Sequence, residues 1–202
     1  MNPNKKPKTM FVLIERAAHL IFLNLIFVLC CIPVITVGSA YTALYAACRA
    51  AAKSEPCYRL FFQAFAASFK RSTLAWLLLL PFILFFLLDI GLVQTSLPGL
   101  LLSGVLLLVC LTVASTLFLY YSCFEGTLWE LFKSAVILIV THPIQTVLLT
   151  VLAWAPLAVL LIAPMWFVKL FSLWIFASFS LAAVAGLLLM SATFKIMAGT
   201  ED

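Results

Sequence analysis

The chain has 202 residues, of which 66% are hydrophobic and only 9% charged, with a formal net charge of +5. A soluble domain carries roughly 25% charged residues, so this composition excludes an ordinary soluble globule and points to a helical membrane protein. The basic balance fits cytoplasmic-side charge and attraction to anionic lipid. No basic patch is interleaved with exposed aromatics, so nucleic acid is not an expected partner.

In chain order, Lys5, Lys6, Lys8 and Arg16 precede an apolar run, Ala17 to Val37, that lacks Lys, Arg, Asp and Glu over 21 residues. That is longer than the ~7–15 residues of a signal-peptide core, so it is read as a retained first span, about Ala18 to Ile35. Pro33 and Gly38 bracket its end. Ser39 to Ala52 is short and alanine-rich, and is read as a second crossing. Further spans are expected over Ser72–Val93, Leu100–Ser122, Pro143–Phe167 and Leu170–Phe194, since a bilayer needs about 20 apolar residues per helix.

Charge decides the doubtful second crossing. If it spans, eleven of the 12 Lys and Arg residues face the cytoplasm and Lys169 alone faces outward, as the positive-inside rule prefers. The expected fold is therefore an all-α polytopic bundle of six transmembrane helices with both termini cytoplasmic, in a plasma membrane.

Two amphipathic stretches complete the architecture. Tyr58–Arg71 repeats Phe61, Phe62, Phe65 and Phe69 at helical spacing. Leu128–Thr141 does the same with Leu128, Phe132, Ala135 and Ile139. Each is read as an interfacial helix preceding a span. Leu60-Phe61 through Ala64 aligns with Leu131-Phe132 through Ala135 at a shift of 71 residues. This suggests a parallel internal repeat, with a helix hairpin at 1–56 followed by units at 57–126 and 127–196.

Few residues promise chemistry. Ser39, Ala43, Ala47 and Ala51 lie four apart, as do Ser178, Ala182 and Gly186; such small-residue faces bring helices close together. Asp89 is the acidic residue inside a long span, near its outer end, and an ion pair with Lys169 is expected. His142, Glu125 and Glu130 read as interfacial polar groups. Six cysteines form no CxxC pair, and with His19 and His142 in different segments no metal site is expected. No phosphate loop, nucleophile elbow or zinc-protease motif occurs. No catalytic residue and no cofactor is expected.

One stretch is more specific. Asn24-Leu25-Ile26-Phe27 is followed by Ile32-Pro33-Val34-Ile35-Thr36-Val37-Gly38-Ser39-Ala40 and by Ala43-Leu44-Tyr45. Together with Arg49 and Phe61-Phe62 to Phe69-Lys70, it resembles the YesL-like family of uncharacterised bacterial membrane proteins over about Asn24 to Lys70. Ile32 stands where that pattern has leucine. The resemblance implies a multi-pass membrane protein working near carbohydrate uptake and glycoside degradation, with sugar-transporter subunits as partners. It carries no assigned site residues. Pro33, Thr36 and Gly38 are read structurally: proline ends the first helix, Thr36 satisfies freed backbone groups, and Gly38 permits the reversal. A non-enzymatic accessory role follows from this context. A small transporter or channel with a site between the two repeat-like units is the alternative, and a membrane enzyme ranks last.

Overall fold

The computed structural model describes residues 6–51, 57–93, 96–124, 126–162, 165 and 178–198. Among these residues the chain forms seven α-helices and no strand: α1 (Lys6–Cys31), α2 (Val37–Ala51), α3 (Cys57–Leu88), α4 (Leu97–Cys123), α5 (Leu128–Thr141), α6 (Pro143–Ile162) and α7 (Phe179–Ala198). A single 3-10 turn, Val34–Thr36, links α1 to α2, and α3 ends in a π-helical turn, Asp89–Val93.

The short helix α2 is the hub. It packs most extensively on α3, then on α4, α1 and α7. Ser39, Ala40, Tyr41, Thr42, Ala43, Leu44, Tyr45, Ala47 and Cys48 on it are all buried. Fifteen residues at ~1.5 Å each make about 22 Å, less than the ~30 Å hydrocarbon core. A helix so placed is surrounded by protein, so length matched to the bilayer is not what holds it.

The expected six crossings reduce to a coarser finding. Tyr58–Leu92 and Leu97–Cys123 are each long and apolar enough to cross a membrane, and α5 with α6 makes a third candidate as a pair bent by 109°. Ala17–Cys31 and Phe179–Leu189 are shorter apolar helices. The apolar helices are those of a membrane protein. The exposed Leu78, Phe82, Phe85 and Leu101 form a surface suited to lipid.

The interfacial helix expected over Tyr58–Arg71 is not a separate element. It runs straight into the following span as one 32-residue helix, because nothing at Arg71-Ser72-Thr73 interrupts the backbone ladder. At the matching junction of the second unit, Pro143 has no N–H to donate, and its ring disfavours helical geometry at His142. His142 accordingly sits at φ −131°, ψ 61°, and the chain turns there.

Aromatic side chains fill the centre. Tyr41 lies 4.9 Å from Phe27, 6.1 Å from Phe118 and 5.5 Å from Trp154, while Trp76 stacks on Trp154 at 5.8 Å. Their polar ends are satisfied across elements. The Tyr41 hydroxyl donates to the Ala153 carbonyl (2.8 Å), Trp76 Nε1 to the Val34 carbonyl (2.7 Å) and Trp154 Nε1 to Ser115 Oγ (2.9 Å). A buried phenol or indole needs such a partner. Interhelical bonds of this kind contribute about 0.6 kcal/mol each in a membrane, so their main effect is to set register.

Candidate functional site

The connection between α1 and α2 explains the Pro33-Thr36-Gly38 signature atom by atom. Pro33 is extended (φ −74°, ψ 112°) and caps the 3-10 turn. Thr36 Oγ1 donates to the carbonyl of Cys30 (2.6 Å), left over where α1 stops, and to that of Pro33 (2.7 Å), which also accepts from the Thr36 N–H (3.0 Å). Ser39 Oγ returns to the Thr36 carbonyl at 2.9 Å. Gly38 has a different role from the one its place in a reversal suggests. It lies inside the first turn of α2, where a Cβ would stand 2.6 Å from the Ser72 carbonyl oxygen and 2.8 Å from Trp76 Cβ. Glycine is needed because two helix backbones meet there.

That contact also locates the closest helix-helix face. Gly38, Thr42 and Ala46, four apart, look towards α3. Ser39, Ala43 and Ala47 are fully buried on the adjacent stripe, and the side chain of Ala51 lies outside the described residues. On α7, Ser178 and Ala182 are half-buried, and Gly186 is buried with Leu149 Cδ1 only 2.3 Å from where a Cβ would be.

The two helices part around a polar cavity of about 240 Å³. Thr42 and Ala46 of α2 form one wall. Ala64, Ala67, Ser68 and Arg71 of α3 form the second, and Tyr121, Ser122 and Phe124 at the end of α4 close it. The small residues create the space, since alanine at facing positions leaves room that larger side chains would fill. The Thr42 and Ser68 hydroxyls donate to the Gly38 (3.0 Å) and Ala64 (2.6 Å) carbonyls, which leaves their oxygen lone pairs and the Arg71 guanidinium as the polar lining.

Two arginines organise this end. Arg71 Nη1 donates to the Gly126 carbonyl at 3.0 Å, and Arg49 Nη2 donates to the Ser122 carbonyl. Ser122 lies in the last turn of α4, whose carbonyls carry partial negative charge, so a cation is favoured there. Both arginines, with Lys70 and Lys133, belong to the set that the charge distribution assigns to one side.

Beyond Arg71, one turn further along α3, an apolar groove of about 310 Å³ opens between α3, α4 and α5. Ala75, Leu78 and Leu79 line one side, Leu117 and Tyr121 the second, and Trp129 and Phe132 of α5 the third. Tyr121 thus lines both spaces. Lys133 Nζ lies 5.2 Å from the Trp129 ring centroid, within cation–π range.

The face of α5 differs from the expectation. Leu131, Ala135 and Leu138 are buried, whereas Phe132 is 38% exposed. The helix turns its aromatic pair, Trp129 and Phe132, towards the groove, and its thinner aliphatic stripe packs inward. Its start is well defined: Thr127 Oγ1 accepts from the Glu130 N–H (3.4 Å), and Glu130 Oε2 accepts from the Thr127 N–H (3.0 Å). That backbone hydrogen bond, then the hydroxyl, hold the Glu130 carboxyl below its ordinary range, with a smaller contribution from Lys133.

Asp89 sits in the π-helical turn and accepts from Ser103 Oγ of α4, so it bridges the outer ends of α3 and α4. Lys169, its expected partner, lies outside the described residues, as does Glu125. Among the described residues no group of three or more His, Cys, Asp or Glu could hold a metal.

Asn24 belongs to the stretch that carries the family resemblance. It is fully buried. Its Oδ1 accepts from the Ser180 N–H (3.0 Å), and Ser180 Oγ donates to the Leu20 carbonyl (2.9 Å). Asn24 therefore caps the first turn of α7 from a different helix and ties the first helix to the last.

Residues 20–90 match the model of a family described as "Protein of unknown function, DUF624". The matched segment takes in the whole of Asn24–Lys70, where the resemblance to the YesL-like family rests, and the two agree. It comprises the second part of α1 from Leu20 on, all of α2 and all of α3, together with Asn24, Gly38 and Arg71. No curated protein and no solved structure matches the chain significantly.

Proposed function

We propose that this is a multi-pass protein of the bacterial plasma membrane, with both termini cytoplasmic, acting as a non-enzymatic accessory or regulatory partner of carbohydrate uptake. One observation carries the partner role. The cation-rich end presents α5, turned 109° from α6, with Trp129 64% exposed beside the charged pair Glu130 and Lys133. An exposed Trp flanked by charges is the composition of a protein-protein hot spot. The carbohydrate setting is supported by the family resemblance alone, and sugar-transporter subunits are the partners it implies.

The test is isolation of the tagged protein from native membranes in mild detergent. Transporter subunits in stoichiometric amount, lost on Trp129→Ala, support the role. A protein that purifies alone, from cells whose glycan uptake survives its deletion, overturns it.

The polar cavity favours a second reading, a small transporter or channel. The cavity lies between α2 and the first repeat-like unit, not between the two units where such a site was expected. A purified protein that moves a solute across vesicles, and loses this when Ala46→Phe fills the cavity, would establish that reading.

A further inference from the structure

We infer that the cavity and the groove, which share Tyr121 in their walls, together bind one anionic phospholipid, with its phosphate at Arg71 and one acyl chain in the groove lined by α3, α4 and α5. The inference does not rest on the accessory role, although both use Trp129.

Depth and polarity carry it. Arg71 opens the apolar part of α3. From there to Leu92 the helix rises about 30 Å at ~1.5 Å per residue, one hydrocarbon thickness. Arg71 therefore stands at the membrane-water boundary, where a phosphate lies. The Ser68 hydroxyl lies one turn to its polar side, and Ala75, Leu78 and Leu79 lie one and two turns to its apolar side. On α4 the order is the same, with Ser122 at the cavity and Leu117 in the groove. Tyr121 spans the two, its ring offering an apolar wall and its hydroxyl a donor. A single ligand meeting both spaces must be anionic at one end and a hydrocarbon at the other.

Charge complements this shape. A guanidinium fork suits phosphate oxygens in a way an ammonium does not, and Arg71 reaches the Gly126 carbonyl through one nitrogen, Nη1. Arg49 and Lys133 add positive potential beside the site, set against the Glu130 carboxylate next to Gly126, and Trp129 is the residue type enriched at headgroup depth. A soluble phosphate would use Arg71 but leave the groove empty. A lipid without a phosphate would fill the groove but not answer the charge.

The full-length protein in detergent is titrated with phosphatidylglycerol and with phosphatidylcholine of the same acyl chains, and bound lipid is counted by native mass spectrometry. The expected result is phosphatidylglycerol bound about tenfold or more tightly than phosphatidylcholine, because both carry the phosphate but the choline ammonium of the second meets the positive potential of Arg49, Arg71 and Lys133. Arg71→Gln should lower that affinity about tenfold, while Lys70→Gln, which removes the same charge one residue away, should leave it unchanged. Leu78→Trp, at a position 63% exposed, fills the groove and should also weaken binding. Equal losses in Arg71→Gln and Lys70→Gln would reduce the effect to surface charge and overturn the proposal. Inorganic phosphate displacing the lipid at millimolar concentration would make this a site for a free anion, and unchanged binding in Leu78→Trp would remove the acyl chain. If Arg71→Gln fails to fold, Leu78→Trp and the comparison of the two lipids decide the matter.

Discussion

The two repeat-like units share an amphipathic stretch followed by an apolar one, yet the first is one continuous helix and the second is bent. In the first, α3 continues through Ser72 as one helix. In the second, α5 and α6 meet at 109°. The aligned aromatics part company accordingly: Phe61 is fully buried, and Phe132 is 38% exposed and lines the groove. Hydropathy alone treats the units as alike. At the junction the second unit has Pro143 where the first has Ser72, and only the second arrangement builds a third wall for the groove.

The most damaging way to break that contrast is to move the proline. Ser72 is the position that aligns with Pro143. Ser72→Pro should cost about 3 kcal/mol or more, because it removes a helical hydrogen bond and its ring clashes with the preceding turn; a fall in the thermal midpoint in detergent would report it. The reciprocal Pro143→Ala should narrow the bend, lengthening the distance between spin labels at Lys133 and Val151. An unchanged distance would mean that packing, not proline, sets the angle.

The continuous unit has a second requirement. Gly38→Ala places a Cβ against the Ser72 carbonyl and should destabilise by about 1–3 kcal/mol through overpacking. Gly104→Ala in α4 is the matched control: nothing lies within 4 Å of its Cβ position, so it should be neutral or slightly stabilising. Thermal melts of the two variants side by side check this. In the bent unit, Thr127→Ala should cost about 1 kcal/mol by removing the cap of α5, measurable as faster amide exchange in α5 with α3 unchanged.

The smallest effect is a pH dependence confined to α5. The Glu130 carboxyl is held below its ordinary range in the folded state. Its contribution is therefore present above the unfolded carboxylate range and is lost as pH falls through the lower, folded value. Amide exchange at the start of α5 should rise there on acidification, beyond its intrinsic pH dependence. In Glu130→Gln the added rise should vanish, and its persistence would assign the effect to another group.

Much of the candidate site could be read only after folding. Arg71 was visible as a topology charge, and Thr42 and Ala46 sit one position from the stripe Ser39, Ala43, Ala47. The missing signal was Gly38: the sequence presents it as a reversal residue, whereas its contact with Ser72 marks the face that meets α3. With that register, Gly38, Thr42 and Ala46 oppose Ala64, Ser68 and Arg71, and the cavity follows.

Composition and the periodic placement of charge determined by themselves that this chain is an all-α membrane protein with a cation-rich end. Long apolar runs and rare charges leave few alternatives in a bilayer. The signature Pro33, Thr36 and Gly38 likewise announced a break between helices. Tertiary structure alone decided that the short helix α2 lies at the centre, that one amphipathic stretch is continuous with its span while the other turns away, and that Arg71 and Tyr121 share a polar cavity beside an apolar groove. The reason is that apolar residues look alike to a hydropathy pattern whether they face lipid or protein. Only the packing of small residues and the position of one proline distinguish the two.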